Sequence, residues 1–391
     1  MACWNYFRWT GDLNFLHQVI GRMRMALRYQ QTVMNGLKLN HIRNEWPGHD
    51  GLPGYTTNPD GTITLHYGHG IGNNYWDLLP FGWDDMYSTA QYYASLRIMA
   101  TLERAIKQHP EWGLPDGPLA SDPDELEKHA EAVKQTANAK FWNPETKRFF
   151  ACIDQKGNTH DYGFTFLNLD AIWYGIATDE HAKDIMDWLE GNRTVPDDTS
   201  VGEDIYFWRF GPRATTRRNI EWYGQGWIHP ERIPWGGQIQ DGGAVLGFTF
   251  YDLMARLRVL GPDNAWNRLR EIIEWEREVW SEGGYRPYYE KRGVTLQGGG
   301  TAGGIGIDFE FFESSLLPSI VVYGFLGAAP TASELVLDPQ IPSQSPEIGI
   351  ANLYYRDTLL DVLASRQEIV IHVKQQPPQP ITIRATESWQ R

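Results

Sequence analysis

A chain of 391 residues with 41% hydrophobic residues can bury a large core, which excludes a collagen-like or wholly disordered protein. Its formal net charge of −14 excludes the basic face that nucleic-acid binding needs, and favours a neutral substrate over a polyanion. The two cysteines, Cys3 and Cys152, lie far apart in sequence and imply neither a disulfide framework nor a cysteine-based metal site.

The N-terminal segment lacks the charged and apolar regions of a signal peptide, and no run of about 18 apolar residues could span a membrane. We therefore expect a soluble protein, cytoplasmic by default, with no membrane or nucleic-acid partner and no cofactor. Aromatic residues are numerous, with 17 Trp, 19 Tyr and 16 Phe. They fit two interpretations equally well: buried packing, or flat surfaces on which sugar rings stack.

The predicted helices fall into two alternating classes. One class is apolar around most of its circumference and is expected to be buried, and the other is amphipathic and is expected to cover it. The apolar helices begin near residues 85, 163, 241 and 308, and the amphipathic helices begin near residues 12, 122, 179 and 264. Short turns join each apolar helix to the next amphipathic one, whereas the long loops 35–83, 191–240 and 281–307 lead back.

This alternation predicts concentric helices, that is, an all-α (α/α)6 toroid whose long loops gather at the N-terminal ends of the buried helices. Four complete buried helices and a stub at residues 2–9 are visible, so we expect the barrel to lack its first helices. After residue 329 the pattern changes to short alternating strands. We predict a barrel domain over 1–329 and a small β domain over 330–391, which serves packing rather than ligand binding.

Two adjacent acids, Asp84 and Asp85, stand at the start of one buried helix. One of them suffices to cap the helix and to complement its dipole. The other would lie beside a second carboxylate and the rings of Trp76 and Trp83, which raises the pKa of a carboxyl group. A raised pKa suits a general acid.

Asp241 opens another buried helix, and it either caps that helix or faces a ligand. The glycines around it allow a close approach of the backbone to a ligand. Nearby rings and amides suit sugar faces and hydroxyl groups, although Arg213 fits salt-bridged loop scaffolding better. The predicted substrate-binding residues are Trp76, Trp83, Trp208, Arg213, Trp235, Gln238, Gln240 and Asp241.

Two further acids lie near the last predicted helix. Glu290 either pairs with Lys291 or Arg292 at the surface or acts on a substrate. Glu310 follows Asp308, the expected cap, inside an apolar helix, where an ionised side chain needs a reason. The histidines of the first long loop have no metal-binding spacing, so we predict no metal site.

Three short motifs carry a resemblance to known families. Gly82-Trp83-Asp84 resembles the Gly-Trp-Asp motif of trehalases and the Gly-Leu-Asp-Asp version of processing α-glucosidases. Tyr289-Glu290-Lys291, ahead of a glycine-rich run, resembles the trehalase Glu-Lys-Tyr segment. The stretch from Arg8 to Leu16 resembles a helix junction shared by six-hairpin glycosidases. The resemblance implies an (α/α)6 glycosidase with Asp84, or its neighbour Asp85, as general acid and Glu290 as general base.

Departures from the trehalase pattern, Pro80-Phe81 before the first motif and Arg292 after the second, argue against trehalose as the substrate. The implied mechanism is inversion, with an acid and a base about 6.5–9.5 Å apart and Glu310 as the alternative base. Two alternatives stay open. A glycoside phosphorylase would need a cationic phosphate pocket, for which Arg213 and Arg217 are candidates, and a non-catalytic protein would bind sugar without cleaving it.

Overall fold

The computed structural model describes residues 1–69, 79–223, 230–294, 305–306, 312–375 and 380–386. This part of the chain is predominantly helical and also contains several small sheets. The helices are α1 (Ala2–Thr10), α2 (Leu13–Thr32), α3 (Gly36–Leu39), α4 (Met86–Gln108), α5 (Pro123–Lys140), α6 (Thr165–Trp173), α7 (Asp179–Leu189), α8 (Phe248–Val259), α9 (Pro262–Ser281) and α10 (Tyr285–Glu290).

Most strands are short. They are β1 (Arg43–Asn44), β2 (Tyr55–Thr57), β3 (Ile63–Leu65), β4 (Trp83–Asp85), β5 (Trp142–Asn143), β6 (Arg148–Phe149), β7 (Cys152–Ile153), β8 (Thr159–His160), β9 (Ala244–Val245), β10 (Ile305–Gly306), β11 (Ala329–Pro330), β12 (Glu334–Leu337), β13 (Glu347–Tyr355), β14 (Thr358–Ser365), β15 (Ile369–Gln375) and β16 (Thr382–Ala385).

The buried and covering helices alternate along the chain. In α6 every residue from Thr165 to Ile172 is buried, and α4 and α8 are buried over most of their length. Helix α9, by contrast, buries one stripe at helical spacing, which includes Leu269, Ile272 and Trp275. Helices α4, α6 and α8 contact one another in sequence order, and α5, α7 and α9 pack behind them. In the described residues, a layer of buried helices thus packs against a layer of covering helices.

Local signals set where the covering helices begin. The Asp12 side chain accepts a hydrogen bond from the backbone N–H of Phe15 at 2.9 Å, and Thr178 caps α7 through His181 at 3.1 Å. Asp122 caps α5, where proline occupies the first helical position. None of the helices in the described residues combines the length and hydropathy that a membrane span needs.

The sequence-based prediction of an all-α domain did not include the small sheets inside the helical region. Strands β1, β4, β7 and β8 form one four-stranded antiparallel sheet in the order β1-β4-β7-β8. Its strands belong to the first long loop and to a hairpin, segments whose backbone groups have no helix to satisfy them. Short β-strand pairs supply those hydrogen bonds. Such strands are too short to show a periodic pattern of apolar residues in the sequence.

The last apolar helix, predicted over 308–327, also has a different form. A 3-10 segment spans Phe312–Leu316, and a π-helical segment spans Val321–Phe325. Pro318 falls between them, where it cannot donate the hydrogen bond that a continuous α-helix needs. The predicted loop 281–307 contains α10 as well.

The C-terminal strands form two three-stranded sheets, β13-β14-β15 and β11-β12-β16. Hydrogen bonds join them to the helices: the Arg356 N–H donates to the Trp9 carbonyl at 2.9 Å, and Arg270 donates to the Gln344 side chain at 3.0 Å. The short strands expected after residue 329 are present in the structure as β11 to β16. The division of the chain into two domains stays a prediction.

Candidate active site

The segments that precede α4, α6 and α8 lie side by side at one end of the helical layers. Phe164, just before α6, forms an isolated β-bridge with Thr215. The Thr165 N–H donates to the Ala214 carbonyl at 3.0 Å, and the Ala214 N–H donates to the Gly243 carbonyl at 2.7 Å. The N-terminal ends of the buried helices are therefore bound together by loop backbone, and we call this end the loop face.

Asp84 lies on the loop face ahead of α4, in strand β4. Its carboxylate accepts from Arg43 Nε at 2.6 Å, and it lies 3.0 Å from His41 Nε2 and 2.9 Å from Lys140 Nζ. Burial alone would raise its pKa, but hydrogen bonds from His41, Arg43 and Lys140 together lower the pKa of Asp84 well below its usual range. A carboxylate held in this way has no proton to donate, so the geometry does not favour Asp84 as general acid.

Asp85 is fully buried and serves as the N-cap of α4. Its Oδ1 accepts from the backbone N–H of Ser88 at 3.1 Å, and its Oδ2 accepts from the Ser88 hydroxyl at 3.1 Å. Both oxygens therefore take part in the capping arrangement that the sequence allowed for one of the two acids.

The Gly-Trp-Asp motif has a structural explanation on this face. Gly82 has φ +122°, and a Cβ at this position would lie 2.3 Å from the His49 carbonyl oxygen. The Trp83 N–H donates to the same carbonyl at 2.6 Å, and the Trp83 ring, which is half-buried, stacks on the Arg43 guanidinium at 4.9 Å. Gly82 is needed because the two chain segments meet there.

Asp241, on the segment ahead of α8, has an environment opposite to that of Asp84. It is fully buried, and within the part of the chain that the structure describes one cation pairs with it: Arg218 Nη1 lies 2.7 Å from Asp241 Oδ2. Asp241 Oδ1 and the Tyr223 hydroxyl approach each other, yet neither completes a hydrogen bond of standard geometry with another described residue. Burial raises the pKa of Asp241 to about 6, against the opposing effect of Arg218, and the charge of Glu221 raises it further.

We call Arg218, Glu221, Tyr223 and Asp241 the Asp241 cluster. Glu221 is exposed, so this cluster places a buried, protonatable carboxyl group near an exposed carboxylate. Burial raises the pKa of Tyr223 far above its usual value, and the charge of Asp241 adds to that effect. At neutral pH the cluster therefore offers a neutral phenol and a carboxyl group that exchanges its proton.

Aromatic side chains surround this cluster. Trp222 is half-buried between Glu221 and Tyr223, and its ring lies edge-to-face with His160 at 4.4 Å. The Tyr55 hydroxyl donates to the Ile220 carbonyl at 3.0 Å, and burial, together with the nearby glutamates, raises the pKa of Tyr55 to about 12. The turn that carries Trp222 is thus fixed from two sides.

Several predicted substrate contacts hold the loop together in the structure. Trp208 is buried and donates through Nε1 to the Gly242 carbonyl at 2.9 Å. Arg213 is buried as well: it donates to the Gly242 carbonyl at 2.6 Å and to Asp204 at 3.1 Å. Its guanidinium lies 4.6 Å from the centre of the Phe207 ring. These contacts agree with the scaffolding interpretation of Arg213.

Trp235 and the two glutamines lie next to Asp241 but have partners within the loop. Trp235 is half-buried and donates through Nε1 to Ser200 at 3.0 Å. A Cβ on Gly242 would lie 2.5 Å from the Trp235 ring, so the close approach made by this glycine is to an indole. Gln238 is buried and bridges to Asp241 through its backbone, and the Gln240 carbonyl accepts from Thr215 at 3.1 Å.

Among the described residues, no contact brings Glu290 to the Asp241 cluster. Glu290 is exposed at the end of α10 and pairs with Arg286 at 3.2 Å. Lys291 and Arg292, its expected partners, instead bind Glu282, at 3.1 and 2.9 Å. Trp76 and Glu310 lie outside the described residues, so their predicted roles stay predictions.

Sequence analysis missed Arg218, Glu221, Trp222 and Tyr223 as site residues. The available signal was weak: an acid between a cation and three aromatic residues in a long loop. Nothing in the spacing links that stretch to Asp241, about twenty residues further along, because the contact depends on the path of the loop.

Comparisons with known proteins bear on class and fold. Residues 330–387 match the model of the Glycosyl hydrolase family 65, C-terminal domain. The fold is similar to the GH78 family rhamnosidase of Bacillus sp. GL1, with a TM-score of 0.52 and 14% identity, over 98% of this chain and 32% of that one. A putative kojibiose phosphorylase from the human microbiome matches at a TM-score of 0.33 and 12% identity, over 98% of this chain and 43% of that one. No curated protein matches.

The chain thus spans about a third of the length of the rhamnosidase, and that likeness shows the fold alone. The C-terminal match supports a glycosidase or phosphorylase class, and it covers only the strands after the helical region. The resemblance to trehalases has no counterpart among these findings.

Proposed function

We propose that the chain is the catalytic region of a glycoside hydrolase that cleaves a neutral glycoside at the loop face, with Asp241 as its general acid. The observation that carries the proposal is the Asp241 carboxyl group, whose pKa lies near 6 and whose Oδ1 makes no standard hydrogen bond within the described residues. A general acid works best when its pKa lies near the working pH. The family 65 match supports the class of reaction.

The second carboxylate of the proposal is Glu221. It is exposed, and it acts electrostatically on Asp241. Two carboxyl groups with separate roles, one as acid and one as base, are the arrangement that two-carboxylate glycosidases use. Glu310 is the alternative base, and the experiments below include it.

Water rather than phosphate is the proposed acceptor. The two arginines considered for a phosphate pocket have other partners: Arg213 binds Asp204 and the Gly242 carbonyl, and Arg217 binds Asp198 and the Pro196 carbonyl. Arg218 lies in the cluster, but it pairs with Asp241 and the Ile233 carbonyl. The direct test is whether turnover of an oligosaccharide rises when inorganic phosphate is added. The proposal predicts that it does not.

The acid role is tested by comparing leaving groups. A panel of α-D-glucosides and α-L-rhamnosides, each as 4-nitrophenyl and as alkyl glycosides, first identifies the sugar. Asp241→Asn should lower kcat on the alkyl glycoside by about 10²–10⁴-fold. It should affect the 4-nitrophenyl glycoside far less, because that leaving group departs without protonation. Equal losses on both substrates would remove Asp241 from the acid role.

The base role is tested with Glu221→Gln and Glu310→Gln. Loss of the base should lower the rates on both leaving groups alike, since activation of water does not depend on the leaving group. Added azide should restore turnover in the variant that lacks the base. Sugar binding without cleavage by the wild-type chain would instead support a non-catalytic binding protein.

A further inference from the structure

The hairpin between β7 and β8 contains a buried carboxylate–imidazole pair outside the Asp241 cluster. Asp154 accepts from the backbone N–H groups of Lys156 and Asn158 at 2.8 and 2.9 Å, and from Asn158 Nδ2 at 2.9 Å. Its Oδ2 also lies 3.0 Å from His160 Nε2. Asp154 and His160 are 1% and 3% exposed. Four donors around one carboxylate fix both side chains in place.

The charge states of the pair follow from these contacts. Burial would raise the pKa of Asp154, but the hydrogen bonds from Asn158 and His160 lower it. Burial lowers the pKa of His160, and Asp154 opposes that effect. The imidazole is therefore neutral at neutral pH, with its Nε2 proton directed to the carboxylate. A fixed tautomer fixes the orientation of the ring.

The structure shows what the oriented ring touches. His160 contacts the Trp222 ring at 4.4 Å with an interplanar angle of 82°. Trp222 ends a 3-10 turn whose first residue, Ile220, is held by the Tyr55 hydroxyl at 3.0 Å. Edge-to-face contact is a favoured geometry for aromatic pairs. The Trp222 ring is thus held by its contact with His160, while part of the Trp222 side chain stays exposed.

The residues on either side of Trp222 belong to the Asp241 cluster, which gives the contact between His160 and Trp222 a functional meaning. Glu221 and Tyr223 flank Trp222 and both act on Asp241: the charge of Glu221 raises the pKa of the Asp241 carboxyl group, and the Tyr223 hydroxyl lowers it. A half-buried indole between Glu221 and Tyr223 suits the apolar face of a pyranose ring whose glycosidic oxygen meets Asp241. Rotation of the indole by one rotamer would remove this platform.

We propose that Asp154 and His160 are positioning residues that hold Trp222 as a stacking platform for the sugar ring bound next to Asp241. The proposal rests on the function proposed above and adds a substrate-binding residue and its support. Neither Asp154 nor His160 needs to touch the sugar, because both act through the orientation of Trp222.

The test is a double-mutant cycle between His160→Gln and Trp222→Ala. His160→Gln keeps an N–H donor for Asp154 but removes the ring that contacts Trp222. Each single variant should raise KM about tenfold and leave kcat within about twofold, as expected when binding is lost equally from ground and transition states. The double variant should be no worse than Trp222→Ala alone, because His160 acts through Trp222. Thermal unfolding of each variant verifies that it folds.

His160→Phe is the second arm, since it keeps a ring at this position and loses the hydrogen bond to Asp154. The KM of His160→Phe should lie between that of wild type and that of His160→Gln. If the increases in KM of the two single variants multiply in the double variant, the positioning role is overturned. An unchanged KM in His160→Gln would overturn it as well.

The cycle is run on the 4-nitrophenyl glycoside that the panel turns over fastest, and in parallel on calorimetric binding of the corresponding methyl glycoside. Non-additive binding without Asp241-dependent hydrolysis would remove the proposed hydrolase function and keep the platform. Asp241-dependent hydrolysis with additive effects of the two substitutions on the binding free energy would keep the hydrolase function and remove the platform.

Discussion

Two carboxyl groups stand in front of buried helices, and their surroundings shift their pKa values in opposite directions. Asp84 precedes α4 and is ringed by His41, Arg43 and Lys140, which lower its pKa. Asp241 precedes α8 and has Arg218 as its cationic partner, and burial raises its pKa to about 6. Position in the fold is therefore not what makes an acid catalytic. The number of cations within hydrogen-bond distance decides whether the carboxyl group keeps a proton.

The largest effect expected from this comparison on stability concerns Asp84. Asp84→Asn leaves Arg43 and Lys140 without their carboxylate, and it should lower the free energy of unfolding by about 3 kcal/mol. The loss is moderated because the side chains of Arg43 and Lys140 are 26% and 31% exposed. Denaturant unfolding measures the loss, and hydrolysis is assayed well below the melting temperature. Activity within about threefold of wild type is expected, whereas a loss as large as that of Asp241→Asn would return the acid role to Asp84.

The two groups should also make stability depend on pH in opposite directions. The folded-state pKa of Asp84 lies below its unfolded value, so its contribution is present above about pH 4 and is lost as the pH falls. The pKa of Asp241 is raised, so its contribution is present below about pH 4 and is lost as the pH rises through about 6. The change due to Asp241 should reach up to about 3 kcal/mol.

This contrast is measured as the difference in unfolding free energy between wild type and each Asn variant from pH 3 to pH 8. Relative to wild type, Asp241→Asn should gain stability between pH 4 and pH 7, and Asp84→Asn should not. If the two differences in unfolding free energy change with pH in parallel, the pKa values of the two carboxyl groups are not shifted in opposite directions.

A smaller effect separates the glycines beside the two acids. Gly82→Ala places a methyl group against the His49 carbonyl, which is backbone and cannot move away cheaply. Gly242→Ala meets the Trp235 ring, a half-buried side chain that can shift. Both have positive φ, so that cost is shared. Thermal unfolding should show Gly82→Ala to be the less stable by about 1–2 kcal/mol, and an equal loss would mean that contact with backbone adds nothing.

The smallest effect is expected at Glu290. Its pair with Arg286 is exposed, and such pairs contribute less than about 1 kcal/mol. Glu290→Gln should change the free energy of unfolding by less than about 0.5 kcal/mol and kcat by less than about twofold. Arg286→Gln is the matched control, since it breaks the same pair. A fall in kcat of a hundredfold or more in Glu290→Gln alone would support the base role that the trehalase resemblance implies.

The layered helices were predictable, and the chemistry of the loops was not. The mostly apolar run at Thr165–Ile172 and the apolar stripe of α9 indicate burial from the local sequence, because each residue type reflects its own environment. The pKa of a carboxyl group depends on partners far away in sequence. Lys140 lies more than fifty residues beyond Asp84, and no local pattern predicts that it turns back to it. Sequence alone therefore proposed Asp84 or Asp85 as the general acid and Asp241 as a substrate-binding residue, without access to the partners that set their pKa values.

The motif at Gly82-Trp83-Asp84 shows how a short resemblance can have a structural cause. Its glycine permits a backbone crossing, its indole stacks on Arg43, and its carboxylate closes an ion cluster. Each residue type is required by packing in this protein, whatever its role in other families.

The measurement that tests the account most directly is a pH titration of the side-chain carboxyl carbons by NMR, on protein labelled with ¹³C at aspartate. Burial also raises the pKa of Asp170 well above its usual range, so Asp170→Asn is used to assign its signal separately. The account predicts a resonance that titrates near pH 6 in wild type and is absent from Asp241→Asn, and a resonance that stays ionised to below pH 3 and is absent from Asp84→Asn. If the signal lost in Asp241→Asn titrates near pH 4 or below, the proposed general acid is ionised at working pH and the central claim is contradicted.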